Sequence, residues 1–108
     1  MVKWITSHSD YADFFHPAFE IRTTYFYVPV LRGESAAGIT ISRKIGNAVK
    51  RNLLKRRIKS WLRTNQENIP VNYRFNLIAK TGAADLKWQE LSQELLRVIN
   101  QLTSKASC

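Results

Sequence analysis

The sequence predicts an α/β (α+β) two-layer sandwich of about four strands and three helices in the order αβββαβα. Short segments rich in aromatic and β-branched residues, some alternating between apolar and polar, are typical of strands. Two longer segments repeat apolar residues at helical spacing, so each helix must bury one side, and a sheet offers the face to cover. With 108 residues, of which 44% are hydrophobic, the chain is expected to form a single domain over residues 1–108.

The first strands are predicted between residues 19 and 42. Residues 19–31 indicate a strand, either continuous or broken in two, that ends near Pro29 and Gly33. Residues 38–42 alternate with the period of a half-buried strand. A turn separates the two segments, and they are expected to pair as an antiparallel hairpin.

Of the three expected helices, the second has the strongest pattern. A short first helix over residues 9–15 ends before Pro17. Gly46 then breaks the chain, and the side-chain oxygen of Asn47 can accept from the first unpaired amides of a helix over residues 48–64. The apolar side of this helix repeats at i, i+4, i+7 and i+8 and is formed by Leu54, Ile58, Trp61 and Leu62.

The last third of the chain predicts a strand followed by the final helix. Residues 71–80 alternate and then become apolar, as in a strand. Asp85 can cap a helix that continues to about Leu102, and Trp88 is expected in the core. The buried stripe of this helix is predicted to be Leu91, Leu95, Val98 and Leu102.

Positive charge is concentrated in one segment. The chain has 17 Lys and Arg against 8 Asp and Glu, a net charge of +9. Residues 43–63 hold nine bases and no acid, which leaves eight bases to balance the eight acids elsewhere. Because like charges one turn apart on a helix repel, a phosphate backbone that relieves the repulsion explains this pattern better than a solvated face does. The expected partner is a nucleic acid.

The basic segment resembles the protein subunit of bacterial-type ribonuclease P. The hallmark of that family is a basic pair, a glycine, and then R-N-x-x-K-R-x-x-R on a helix. The matching residues here are Arg43-Lys44, Gly46, Arg51-Asn52, Lys55-Arg56 and Lys59. Leu53 replaces an Arg that many members have, and Lys59-Ser60 replaces the common Arg-Glu. Further resemblance lies at Asp13-Phe14 and in residues 38–42 and 78–86, whereas residues 17–35 align poorly.

The resemblance implies a fold and a division of labour. The fold is a mixed sheet whose basic helix joins parallel neighbouring strands by a left-handed crossover. The catalyst of the family is its RNA, which uses bound Mg²⁺ to cleave precursor tRNA. The protein binds that RNA through the basic helix and holds the single-stranded 5′ leader of the substrate in a cleft between helix and sheet. The protein then needs no catalytic residue, and Mg²⁺ is bound mainly by the RNA, not tightly by the protein.

Two sets of site residues follow from the resemblance and from side-chain chemistry. Aromatic rings on an exposed sheet face would let leader bases stack, and alternation places Tyr25 and Tyr27 on one face, although core packing is the alternative role for each ring. The leader cleft is assigned to Phe14, Tyr25, Tyr27 and Asn52. RNA binding is assigned to Arg43, Lys44, Asn47, Lys50, Arg51, Asn52, Lys55, Arg56, Lys59 and Arg63.

Three other functions compete with this interpretation. A nuclease acting alone would need clustered carboxylates or a positioned histidine, and the acids are dispersed. A ribosomal or other structural RNA-binding protein would share the electrostatics. A membrane-surface or calmodulin-binding helix would need Trp61 and Leu62 outside the core. No segment approaches the roughly 20 apolar residues that cross a bilayer, so we expect a cytoplasmic protein with no membrane contact and no obligate protein partner.

Overall fold

A computed structural model of the chain describes residues 3–5 and 11–106. Four strands form one mixed sheet in the order β1-β2-β4-β3. The strands are β1 (Phe19–Arg22), β2 (Phe26–Arg32), β3 (Ala36–Thr40) and β4 (Tyr73–Ala79), and the α-helices of the described residues are α1 (Ala48–Thr64) and α2 (Trp88–Ala106). The predicted α+β class and the four-stranded mixed sheet are confirmed, as is the break between β1 and β2.

The predicted hairpin between residues 19–31 and 38–42 is wrong. β4 lies between β2 and β3, antiparallel to β2 and parallel to β3. The hairpin in this part of the chain joins β1 to β2 instead. The two inner strands, β2 and β4, each bury a run of three consecutive residues, so both faces of these strands need cover. Local pairing of β2 with β3 would have left β4 at an exposed edge.

α1 connects the parallel strands β3 and β4. Its bounds are those predicted, and the Asn47 side chain caps it by accepting from the Lys50 N–H at 2.9 Å. Its predicted apolar stripe is buried against the sheet. The left hand of this connection stays a prediction.

α2 begins and ends differently from the prediction. Asp85 does not cap it, because Asp85 lies in a separate 3₁₀ turn, Ala83–Asp85. The Glu90 carboxylate instead accepts from the Lys87 N–H at 2.9 Å, which satisfies an amide at the start of the helix. α2 continues to Ala106, and its predicted stripe is buried together with Glu94 and Ile99.

Part of the predicted first helix lies outside the described residues, which begin again at Tyr11. Tyr11 and Ala12 are helical, and a 3₁₀ turn, Asp13–Phe15, follows. Phe14 is buried in this turn. It forms a small second cluster with Ile5 and Ala36, which covers part of the sheet face that the two α-helices leave open.

Trp61 and Trp88 were both predicted to be buried, and the structure buries the first but not the second. Trp61 is 4% exposed and belongs to the main core between the sheet and the α-helices. Trp88 is 45% exposed, so its predicted place in the core is wrong. It is the first residue of α2 and precedes the buried stripe, which starts one turn later at Leu91. None of the helices built from the described residues is long and apolar enough to span a bilayer.

Candidate RNA-binding surfaces

The outer face of α1 brings together most of the predicted RNA-binding side chains. Lys55, Arg56 and Arg63 are exposed, and Lys59 is half-buried. A shallow depression of about 530 Å³ on this face is lined by Val49, Asn52, Lys55, Arg56 and Lys59. Val49 is 77% exposed and was not among the predicted residues. The depression therefore combines cationic groups, one amide and one apolar side chain.

The start of α1 positions a second group of cations. Arg43 and Lys44 are exposed in a 3₁₀ turn, Arg43–Ile45. The Arg51 side chain is held back against that turn, because its Nε donates to the Gly46 carbonyl at 3.2 Å. Asn47 uses its side-chain oxygen in the helix cap. The amide nitrogen of Asn47 takes no part in the cap and can donate a hydrogen bond to RNA.

Most cations of residues 43–63 have no carboxylate partner in the part of the chain that the structure describes. Lys50 forms an exposed ion pair of 3.2 Å with Asp85, which lies outside the segment. Among the described residues, no carboxylate lies within ion-pair distance of the other eight bases. Arg57, which was not assigned to RNA, points toward the loop before α2 and donates to the Leu86 carbonyl at 3.5 Å. Uncompensated charge thus lies on the solvent side of α1.

A groove of about 540 Å³ crosses the open face of the sheet, away from α1. Phe14 and Tyr27, two of the residues assigned to the leader cleft, line it. This groove lies between the 11–15 segment and the sheet, whereas the resemblance implies a leader cleft between the basic helix and the sheet, and the position of that cleft stays a prediction. Its remaining lining residues are Tyr11, Phe15, Pro29, Thr40, Asn76 and Ile78.

Two of the residues assigned to the leader cleft do not line this groove. The Tyr25 ring packs on the main core, next to Gly82, where an added Cβ would come within 3.0 Å of it. The backbone N–H of Tyr25 donates to the buried Glu94 carboxylate at 2.6 Å. The regular alternation expected for residues 25 and 27 fails because Tyr25 lies in the turn before β2. Asn52 lies on the α1 face instead.

The groove floor contains a polar pair that sequence reasoning missed. Asn76, which is 5% exposed, accepts from the Thr40 hydroxyl at 3.1 Å through its Oδ1. Its Nδ2 has no partner among the described residues and is not enclosed, so it is available to the groove. Gly38 allows Tyr11 to lie over this site, because a Cβ there would stand 2.8 Å from the Tyr11 ring. The sequence did contain a signal for this pair, because a polar asparagine stands between the apolar residues Phe75 and Leu77.

Pro29 lies opposite this polar pair in an interior strand. The strand was expected to end near Pro29 and Gly33, and β2 passes through Pro29 and ends at Arg32, next to Gly33. Proline has no N–H to donate, and the register between β2 and β4 skips Val28 and Pro29. The hydrogen bonds between β2 and β4 are therefore interrupted beside Asn76, whose amide forms part of the groove floor.

Tyr27, whose hydroxyl group can titrate, lies at one edge of the groove. Burial, followed by a hydrogen bond and the negative charge of Glu20, raises the pKa of the Tyr27 hydroxyl, and Arg22 opposes this shift. The Arg22 guanidinium lies 4.9 Å from the ring centroid and is paired with Glu20 at 2.7 Å. Tyr27 is therefore neutral at ordinary pH and presents an uncharged ring to the groove.

Comparison with known proteins places the chain in a family. The family model described as Ribonuclease P matches residues 3–103. The ribonuclease P protein component of Geotalea uraniireducens is 36% identical over 101 residues, which cover 91% of this chain and 88% of the relative.

Solved structures agree on the fold. The ribonuclease P protein from Thermotoga maritima superposes with a TM-score of 0.83 at 23% identity, covering 92% of this chain and 96% of that one. The Staphylococcus aureus protein gives a TM-score of 0.81 at 22% identity, covering 94% and 96%. The chain belongs to the Ribonuclease P family.

Proposed function

We propose that the chain is the protein component of ribonuclease P and takes part in tRNA processing with an RNA subunit. In this role it binds the catalytic RNA and the 5′ leader of precursor tRNA, and it assists endonucleolytic removal of that leader in the cytoplasm. The observation that carries the proposal is the row of cations on the solvent side of α1, most of which have no carboxylate partner within residues 3–5 and 11–106. Family membership supports the identity of the RNA.

α1 supplies the contacts to the RNA subunit. Its buried stripe fixes the helix on the core, so the cations on the other side start from a defined arrangement. A phosphate backbone relieves their mutual repulsion and releases counterions. Arg51 and Arg56 can each bind a phosphate through two parallel hydrogen bonds, whereas Lys55 and Lys59 act as point charges.

The groove on the open sheet face holds the single-stranded leader. Bases stack on aromatic rings with little sequence preference, and Phe15 and Tyr27 provide accessible rings, while the largely buried Phe14 forms part of the wall beside them. The groove is mainly apolar, so the bases and not the phosphates would enter it. The Asn76 amide would then face the edge of a base.

The described side chains do not fit a Mg²⁺ site built by the protein. No three His, Cys, Asp or Glu side chains lie together among the residues placed by the structure. Asp85, the carboxylate that an ion pair links to the basic segment, is engaged by Lys50. We therefore assign Mg²⁺ to the RNA, and to the protein the tasks of binding and orientation.

Reconstitution tests the proposal. A bacterial ribonuclease P RNA transcript, mixed with the purified chain, should cleave precursor tRNA at a Mg²⁺ concentration at which the RNA alone is slow. A Lys55→Gln/Arg56→Gln variant should lose this effect. Lys87→Gln/Lys105→Gln removes the same charge away from α1 and is the matched control. A chain that binds the RNA without restoring cleavage would instead be a structural RNA-binding protein.

A further inference from the structure

Residues 3–5 extend the sheet beyond its free edge. Trp4 forms a parallel bridge with Ala37 of β3. The Ile5 N–H donates to the Ala37 carbonyl at 2.8 Å, and the Ala37 N–H donates to the Lys3 carbonyl at 2.8 Å. The Tyr11 hydroxyl also donates to the Ile5 carbonyl at 2.9 Å. The backbone on both sides of Trp4 is therefore fixed.

The Trp4 side chain points toward α1. Ile5 is buried in the small cluster on the open face of the sheet, and Trp4, its neighbour, packs on the main core from the opposite face. The Lys59 ammonium lies 5.2 Å from the centroid of the Trp4 ring system, and the Arg63 guanidinium carbon lies 5.9 Å from it. One indole thus contacts two cations that lie one turn apart on α1.

We infer that Trp4 is a positioning residue for RNA binding, which orients Lys59 and Arg63 toward phosphate. This inference rests on the proposed function. The two cations repel each other, and no carboxylate among the described residues pairs with either. The electron-rich indole face attracts both and restricts two otherwise flexible side chains. Their charges stay outside the core, and less conformational entropy remains to be lost when RNA binds.

The sheet edge and the basic helix then form one binding unit. Without residues 3–5, Lys59 and Arg63 would remain on α1 but would lack the ring that holds them. The effect of Trp4 should therefore depend on these two cations.

Affinity for a ribonuclease P RNA transcript tests the inference. Trp4→Leu keeps an apolar side chain and should weaken binding by about two- to fivefold, the factor expected for a partly exposed cation–π contact. Trp4→Phe keeps an aromatic face and should recover part of the loss. Trp88→Leu removes an exposed indole for which no cation contact is found among the described residues, and it should bind like the wild type.

A double-mutant cycle separates positioning from general stability. In a Lys59→Met/Arg63→Met background, Trp4→Leu should cause no further loss of affinity. If Trp4→Leu binds like the wild type, or weakens binding equally in both backgrounds, the inference fails. Failure of the wild type itself to bind the transcript would contradict the proposed function instead. Ring-current shifts of the Lys59 side-chain protons, lost in Trp4→Leu, provide a readout that needs no RNA.

Discussion

At the scale of single residues, Asn76 shows how a polar group on a mainly apolar surface can indicate a binding role. Its amide nitrogen borders the groove, where solvent can reach it, while its oxygen is held by Thr40. A base edge that accepts from this nitrogen would replace the hydrogen bond that water can make there.

Replacing Asn76 should therefore separate leader binding from folding. Asn76→Leu removes the amide and keeps similar bulk, so the free energy of unfolding should stay level or rise. Affinity for precursor tRNA in the reconstituted complex should fall by about fivefold, equivalent to roughly 1 kcal/mol for one hydrogen bond. Mature tRNA, which has no leader, is the control and should bind unchanged. Equal losses for both RNAs would argue against a leader contact.

Tyr27 gives a prediction in alkaline solution. Its pKa is raised, chiefly by burial and then by Glu20. Up to the ordinary pKa of about 10, both the folded and the unfolded chain keep the proton, so this group adds no pH dependence. Between that value and the raised pKa the unfolded chain binds fewer protons, so stability should fall as the pH rises. Phenolate absorbance should contain a component that titrates late, and Tyr27→Phe should remove that component.

At the scale of elements, α1 has its proposed RNA-binding side opposite the side that it buries in the core. Its cations, most of which have no carboxylate partner in the described part of the chain, predict that affinity for the RNA subunit falls steeply with salt. Lys55→Ala or Arg56→Ala should each reduce the slope of log affinity against log salt by about 0.7 to 0.9 per lost phosphate contact. Lys87→Ala is the control. An unchanged slope in both α1 variants would exclude phosphate contacts at these positions.

The cap of α1 predicts a stability effect. Asn47→Ala leaves the Lys50 N–H without its 2.9 Å partner and should lower the free energy of unfolding by about 1 kcal/mol. Asn47→Ser restores an oxygen at the cap and should recover most of that loss. Denaturant unfolding measures both variants. If Asn47→Ser bound RNA less tightly than the wild type, this result would indicate that the amide nitrogen of Asn47 also contacts RNA.

At the scale of the whole molecule, Glu94 joins the two layers. Its buried carboxylate on α2 accepts from the Tyr25 N–H at 2.6 Å and from Arg97 at 3.2 Å. Glu94→Leu should leave the Tyr25 amide unsatisfied and cost about 1 to 3 kcal/mol of unfolding free energy. Glu94→Gln keeps an acceptor and should cost less. At temperatures where both variants remain folded, RNA affinity should match the wild type, and a loss in Glu94→Gln would contradict a purely structural role.

The sequence allowed the helices to be predicted better than the sheet. The bounds and buried side of α1 follow from its cap and its apolar spacing, which are local signals. The place of β4 between β2 and β3 depends on contacts between residues far apart in the chain, which no local pattern contains. The same holds for the candidate site. The cations of α1 were predictable from charge alone, whereas Asn76, Thr40 and Trp4 acquire their surroundings only when the sheet has formed.

The central position of β4 also matters while the chain is being synthesised. A nascent polypeptide that ends before residue 79 contains all of α1, yet β2 and β3 have no strand between them. Its cations are already present, but the sheet on which α1 packs is incomplete until β4 joins β2 to β3, and α2 follows later still. We therefore expect the shaped cationic surface only late in synthesis, and a chain arrested before residue 79 should bind polyanions without preference.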